Sequence, residues 1–116
     1  QVTKMGARIN YVFDDGTESL TVLYSHYGEY NWQDDLAGAL AHAKPRHRDY
    51  SYFTRMIISY LIQDAVLQPT GFGIHGIARS EISDLFDKVV VLDLVHDLVT
   101  DLDNNNSIPF YSEVMA

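Results

Sequence analysis

One histidine sits among four aromatic rings: Tyr24, Tyr27, Tyr30 and Trp32 flank His26 within nine residues of chain. Arg46, Arg48 and Arg55 follow on the next connector and helix, close by if the chain folds back on that loop. Tyr, Trp and Arg most often anchor binding surfaces, because each joins a large contact area to a polar or charged tip. Gathered on one face, these eight residues would hold a small anionic ligand or an acidic segment of a partner protein. A plainer assignment gives Tyr24 and Trp32 to the core and Tyr27 and Tyr30 to the covering of a loop. The arginines would then pair with Asp49 and Asp64, and the rings would serve packing, as rings at strand and helix spacing usually do.

Catalytic and metal chemistry find weaker support. His26 and Glu29 are spaced H-x-x-E, with Asp34 and Asp35 soon after. A histidine and carboxylates can exchange protons or hold a metal, but no second histidine stands four residues on. His42 and His47 are separated by a proline stop, a poor geometry for one ion. Ser25 adjoins His26, yet neighbouring residues on a strand point to opposite faces, whereas a serine–histidine couple needs mutual hydrogen-bond reach. Gly71-Phe72-Gly73-Ile74-His75-Gly76 matches G-x-G-x-x-G but follows a helix and lacks the strand–turn–helix setting that a dinucleotide needs. Asp101-Leu102-Asp103-Asn104-Asn105 opens like a calcium loop. Asn106 then replaces the required glycine, and Ser112 stands where the bidentate glutamate belongs, with Glu113 one residue late. No metal, cofactor or catalytic residue is expected; a small enzyme using His26, Glu29 and Arg55 is the residual alternative.

These residues need elements to position them. Residues 7–13 alternate β-branched and aromatic side chains, Asp14-Asp15-Gly16 signals a turn, and 19–25 resume strand character, which reads as a hairpin. Asn31 is placed to cap a helix over 32–44, where Trp32, Leu36 and Leu40 recur every fourth residue and Pro45 ends the run. Asp49 or Ser51 opens a second helix over 51–67, more apolar around its circumference and stopped by Gln68-Pro69-Thr70-Gly71. Residues 71–77 allow a short strand and 80–87 a loop or a turn or two of helix. Residues 89–94, with three consecutive valines, read as a strand; a turn near His96-Asp97 returns the chain along 99–102. Residues 104–116 are expected at the periphery of a core spanning 5–103. The expectation is one α+β domain: an antiparallel sheet in the order β-β-α-α-β-β, with two helices packed on one face.

Charge and composition narrow the partners. Sixteen acids oppose eight bases in 116 residues, a formal charge of −8. That balance disfavours binding to nucleic acids and anionic membranes, which rests on neutralising phosphates. Residues 81–103 carry Glu81, Asp84, Asp87, Asp93, Asp97, Asp101 and Asp103 against the single base Lys88. Such a run also suits an acidic mimic that occupies a nucleic-acid site on a host enzyme. The chain has no cysteine, which excludes disulfides and thiolate metal sites. Its start, Gln1-Val2-Thr3-Lys4, does not read as a signal peptide, and no apolar run approaches the roughly 20 residues of a membrane span. A cytoplasmic location is the expectation by elimination.

Four segments carry a resemblance: Met5-Gly6-Ala7-Arg8-Ile9-Asn10-Tyr11-Val12-Phe13, Leu23-Tyr24-Ser25-His26-Tyr27-Gly28, Thr54-Arg55-Met56-Ile57-Ile58-Ser59-Tyr60-Leu61 and Thr70-Gly71-Phe72-Gly73-Ile74. Over residues 5–100 the chain resembles a group of small bacteriophage and bacterial proteins. No activity comes with that group, so the resemblance transfers no residue role. It implies an accessory role of the phage type, with a host protein or small anionic ligand as partner and self-association left open.

Overall fold

The computed structural model describes residues 8–28 and 31–111. The element order is β1 (Ile9–Asp14), β2 (Ser19–Ser25), α1 (Trp32–Ala43), α2 (Tyr50–Leu61), β3 (Phe72–Ala78), β4 (Lys88–Asp93), β5 (Leu98–Asp101) and β6 (Asn106–Pro109). Short 3-10 turns over Lys44–Arg46 and Arg79–Asp84 join α1 to α2 and β3 to β4. The strands form one six-stranded sheet in the order β3-β2-β1-β4-β5-β6. Every neighbouring pair is antiparallel except the central one, where β1 and β4 run parallel from Ile9 opposite Lys88 to Asp14 opposite Asp93. The α+β class and the two helices on one face hold. The sheet is mostly antiparallel rather than wholly so, and it has six strands where the sequence pattern indicated four with a fifth allowed at 71–77.

The parallel pair follows from topology. β3 lies at one edge and β4 next to β1, so the chain must cross β2 and β1 to place β4. Residues 79–87 make that crossing as a strap over the sheet face away from the helices. β1 holds the strap through the side chains that alternation turns to that face. Asn10 Nδ2 donates to the Phe86 carbonyl at 2.6 Å. Val12 packs with Leu20, Val22 and Val89 in a second apolar cluster that Ile82 and Leu85 of the strap cover. Asp14 takes a two-pronged bond from Arg79, at 2.6 and 2.9 Å. The intervening residues Ile9, Tyr11 and Phe13 face the helices and form the main core with Leu23, Val90 and Leu92.

Helix α1 buries Trp32, Leu36, Ala39, Leu40 and Ala43 against that core. Asn31 stands at its N-cap position, but its side chain makes no capping bond; its carbonyl accepts from the Asp35 N–H instead. Helix α2 buries Phe53, Ile57 and Ile58 and ends at Leu61, six residues before the expected stop. Gln63 folds its amide back onto the Tyr60 carbonyl at 2.8 Å. Val66 and Leu67, which prolong the apolar pattern, stand exposed.

The expected peripheral tail is a correction. Asn106–Pro109 form the edge strand β6, and Phe110 is buried in the main core, with its ring stacked on Phe53 at 5.8 Å. Three asparagines followed by a proline look loose in sequence, yet they turn the chain so that one aromatic ring closes the core. Residues 112–116 lie outside the described residues. No helix among the described residues is long and apolar enough to cross a membrane.

Two outcomes test this architecture. Phe110→Ala should cost about 3–5 kcal/mol, the usual loss for a buried ring, in denaturant unfolding; a tail residue at the periphery would cost almost nothing. The Arg79 guanidinium holds the Asp14 carboxyl below the usual carboxylate range. The resulting stabilisation is complete above the unfolded value of about 4 and is lost as pH falls through the native one. Asp14→Asn should therefore melt below the parent at neutral pH, and the gap should close in acid.

Candidate functional site

The sheet separates the residues singled out above. Along β2, Leu23 and Ser25 turn towards the helices and Tyr24 towards the strap face, opposite Asn10 of β1. His26 stays with Tyr24, its ring edge-on at 5.2 Å. Trp32 is 6% exposed and belongs to the core. Tyr30 and Glu29 lie outside the described residues. Tyr27 is exposed and leans on Phe72, with ring centroids 5.7 Å apart.

The arginines stand at the other end of the molecule. Helix α1 carries the chain away from the loop after β2 and α2 brings it back, so their connector lies a helix length away. Twelve residues at 1.5 Å each amount to about 18 Å. Arg46 stacks on the Tyr52 ring at 4.5 Å and pairs with Asp49 at 3.3 Å. Arg48 pairs with Asp97 in the turn after β4 at 3.1 Å. Arg55 donates to Ser59 and lines a small cleft with Phe13, Asp15 and Ser19. The seven of these residues that are described thus form no single surface: Tyr24, His26 and Tyr27 stand at the end opposite the guanidinium groups, and Trp32 lies inside.

The loop after β2 has different neighbours. A cleft of about 600 Å³ opens between it and the C-terminal end of α2, lined by Tyr11, Tyr27, Tyr60, Phe72, Asp35 and Asp64. Among the described residues, no lysine, arginine or histidine lines it. Glycines shape the walls. Gly71 (φ +105°) lets the Tyr27 ring pass 3.0 Å from where a Cβ would stand, and Gly38 of α1 leaves room for the Tyr60 hydroxyl. The Ser25 hydroxyl donates to the Tyr27 carbonyl at 2.7 Å and accepts its N–H at 3.0 Å, which fixes the turn that presents Tyr27.

Tyr11 forms the floor. Its side chain is 2% exposed, and among the described residues its hydroxyl has no hydrogen-bond partner, although buried tyrosine hydroxyls usually find one. The hydroxyl and the Asp35 carboxylate converge at Gly28 (φ +96°), 3.6 and 3.7 Å from where its Cβ would be. Burial, then the nearby Asp35 charge, pushes the Tyr11 phenol well above its ordinary value. It remains a hydrogen-bond donor at any working pH. Burial and the neighbouring Asp34 likewise raise the Asp35 carboxyl. One end of the cleft thus presents a fixed O–H beside a partly desolvated carboxylate, under three aromatic rings.

Sequence spacing did not assemble these residues. Tyr11, Asp35, Tyr60, Asp64 and Phe72 come from four elements and the loop after α2. The usable signal was Tyr11 itself, a phenol between Ile9 and Phe13 on the core side of a strand, where its hydroxyl needs an outlet. Of the acids over 81–103, Asp101 and Asp103 bind Lys88, Asp93 binds His96, Asp97 binds Arg48, and Glu81 accepts the Ala78 N–H. No known protein family, curated protein or solved structure matches the chain.

The two hydroxyls should respond oppositely to removal. Tyr11→Phe deletes a hydroxyl that makes no hydrogen bond among the described residues and should leave the melting temperature unchanged or raise it. Ser25→Ala strips the turn of both bonds and should cost about 1–2 kcal/mol. A large loss from Tyr11→Phe would show that its hydroxyl is already satisfied.

Proposed function

We propose that this chain is a binding domain whose cleft takes an organic cation, an ammonium or guanidinium group with attached carbon. The observation that carries the reading is the cleft's lining: the Asp35 and Asp64 carboxylates stand with the rings of Tyr27, Tyr60 and Phe72, and no cation lines it among the described residues. Aromatic faces attract cations through their quadrupole, and Asp35 supplies the counter-charge. A buried hydroxyl that donates to a ligand acceptor adds orientation, in the manner of small-molecule sites with few polar groups.

The anionic ligand expected from the arginines is not favoured, because Arg46, Arg48 and Arg55 stand away from the cleft. A catalytic role has less support. The Ser25 hydroxyl is engaged with Tyr27, and His26 keeps to the other sheet face. The nucleic-acid mimic has less support too, since local partners take up most of the acids on which it would depend. The cation belongs either to a free small molecule or to a lysine or arginine of a partner. The second source keeps the accessory, host-binding role that the resemblance to phage and bacterial proteins implies.

Titration of the labelled protein with tetramethylammonium and, separately, acetate tests the reading by amide NMR. The cation should shift Tyr27, Gly28 and Gln63, and acetate should not. Asp35→Asn should abolish the response, and acidification should weaken it as Asp35 takes up its proton. Equal responses to both ions, or shifts confined to other surfaces, would remove the cleft from consideration.

A further inference from the structure

The two edges of the sheet are built differently. In β6 the Phe110 N–H reaches the Asp97 carbonyl, so alternation turns the main-chain groups of Ser107 and Pro109 outward. Proline has no N–H, so the four-residue strand offers little to pair with. In β3 the ladder to β2 passes through His26 N–H to Gly71 O and Arg79 N–H to Glu18 O. By the same alternation Gly73, His75 and Ile77 bond inward, while Phe72, Ile74 and Gly76 turn both N–H and C=O outward. Over its seven residues, Phe72–Ala78, β3 has no proline, lysine or acid. It lacks the devices that usually blunt an edge. Ile74 is 59% exposed and shares a shallow pocket with Val66, itself 62% exposed.

Among the described residues, nothing demands glycine at the two glycines of this strand. Gly73 and Gly76 have no positive φ, so neither needs glycine for its backbone. A Cβ on Gly73 would meet nothing within 4 Å, and one on Gly76 only the Leu20 carbonyl at 3.7 Å. Glycine weakens a strand unless another group comes close.

We infer that β3 is a homodimer interface, in which two copies pair their β3 strands antiparallel about a two-fold axis and continue the sheet across both. The register that sets Ile74 opposite Ile74 of the partner subunit also sets Phe72 opposite Gly76 and His75 opposite Gly73, in both directions. Each glycine then lies under a ring of the other strand, an arrangement that compensates a bare glycine in a sheet. The outward groups of Phe72, Ile74 and Gly76 all find partners, and Ile74 is covered. A second copy suits this edge because the strand is self-complementary under the two-fold. It is also uncharged in a chain of formal charge −8, so like-charge repulsion is least there.

Sedimentation equilibrium of the intact chain should give twice its 13.2 kDa mass. Ile74→Lys places two like charges face to face and should weaken the dimer by about tenfold or more, with the monomer's circular dichroism unchanged. The chain has no cysteine, so single thiols report the register. Ile74→Cys should cross-link on mild oxidation, because directly opposed residues have Cα atoms about 5.5 Å apart, and His75→Cys should not. A monomer for the unsubstituted chain overturns the proposal and leaves the edge to a strand of a different protein. A dimer that Ile74→Lys leaves intact, or cross-linking through His75→Cys alone, overturns it as well.

Discussion

Strand β1 has both of its faces committed, and the rest of the molecule is arranged around that. Ile9, Tyr11 and Phe13 lie under the helices, while Asn10, Val12 and Asp14 hold the strap that carries the chain from β3 to β4. A parallel neighbour cannot be reached through a tight turn, so β4 pairs with β1 only because residues 79–87 cross the sheet. The strap is short and its apolar contribution is small: Ile82 and Leu85 cover the second cluster. Polar ties at each end of β1 complete it. One amide and one carboxylate thereby tie the strap to β1, on either side of the apolar cover that Ile82 and Leu85 give the same face.

The cleft follows from the same strand. Tyr11 points to the helix side, where core residues flank it, and its ring is buried as Ile9 and Phe13 are. A phenol is longer than either, so its hydroxyl passes the core layer and emerges between the loop after β2 and the end of α2. That end is open because α2 stops at Leu61 and the chain leaves the sheet before returning as β3. Among the described residues no base pairs with the acids at its rim, because Arg46 and Arg48 lie at the other end, held by Asp49 and Asp97. Two carboxylates therefore stand beside accessible rings, the combination that attracts organic cations.

Much of the architecture was legible in local pattern. The hairpin, both helices, the valine-rich strand and its returning partner read directly from alternation, four-residue spacing and turn residues. Each depends on neighbours along the chain. The misreadings share a cause too. Val66-Leu67 continued an apolar pattern beyond the end of α2, where both side chains stand exposed. Asn104-Asn105-Asn106 looked like a loose end, although Phe110 lay a few residues beyond. Periodicity reports which side chains prefer burial, but whether a surface waits for them depends on distant elements.

By itself, the amino-acid order determined the class of the domain, most of its elements and which face of each was apolar, because these depend on side-chain period and turn chemistry within a few residues. Tertiary structure alone decided that β1 and β4 run parallel, that Phe110 closes the core, and that Tyr11, Asp35 and Tyr60 meet while the arginines do not. The physical reason is distance. A helix one dozen residues long carries its far end about 18 Å away, so nearness in the chain says little about nearness in space once the chain has turned.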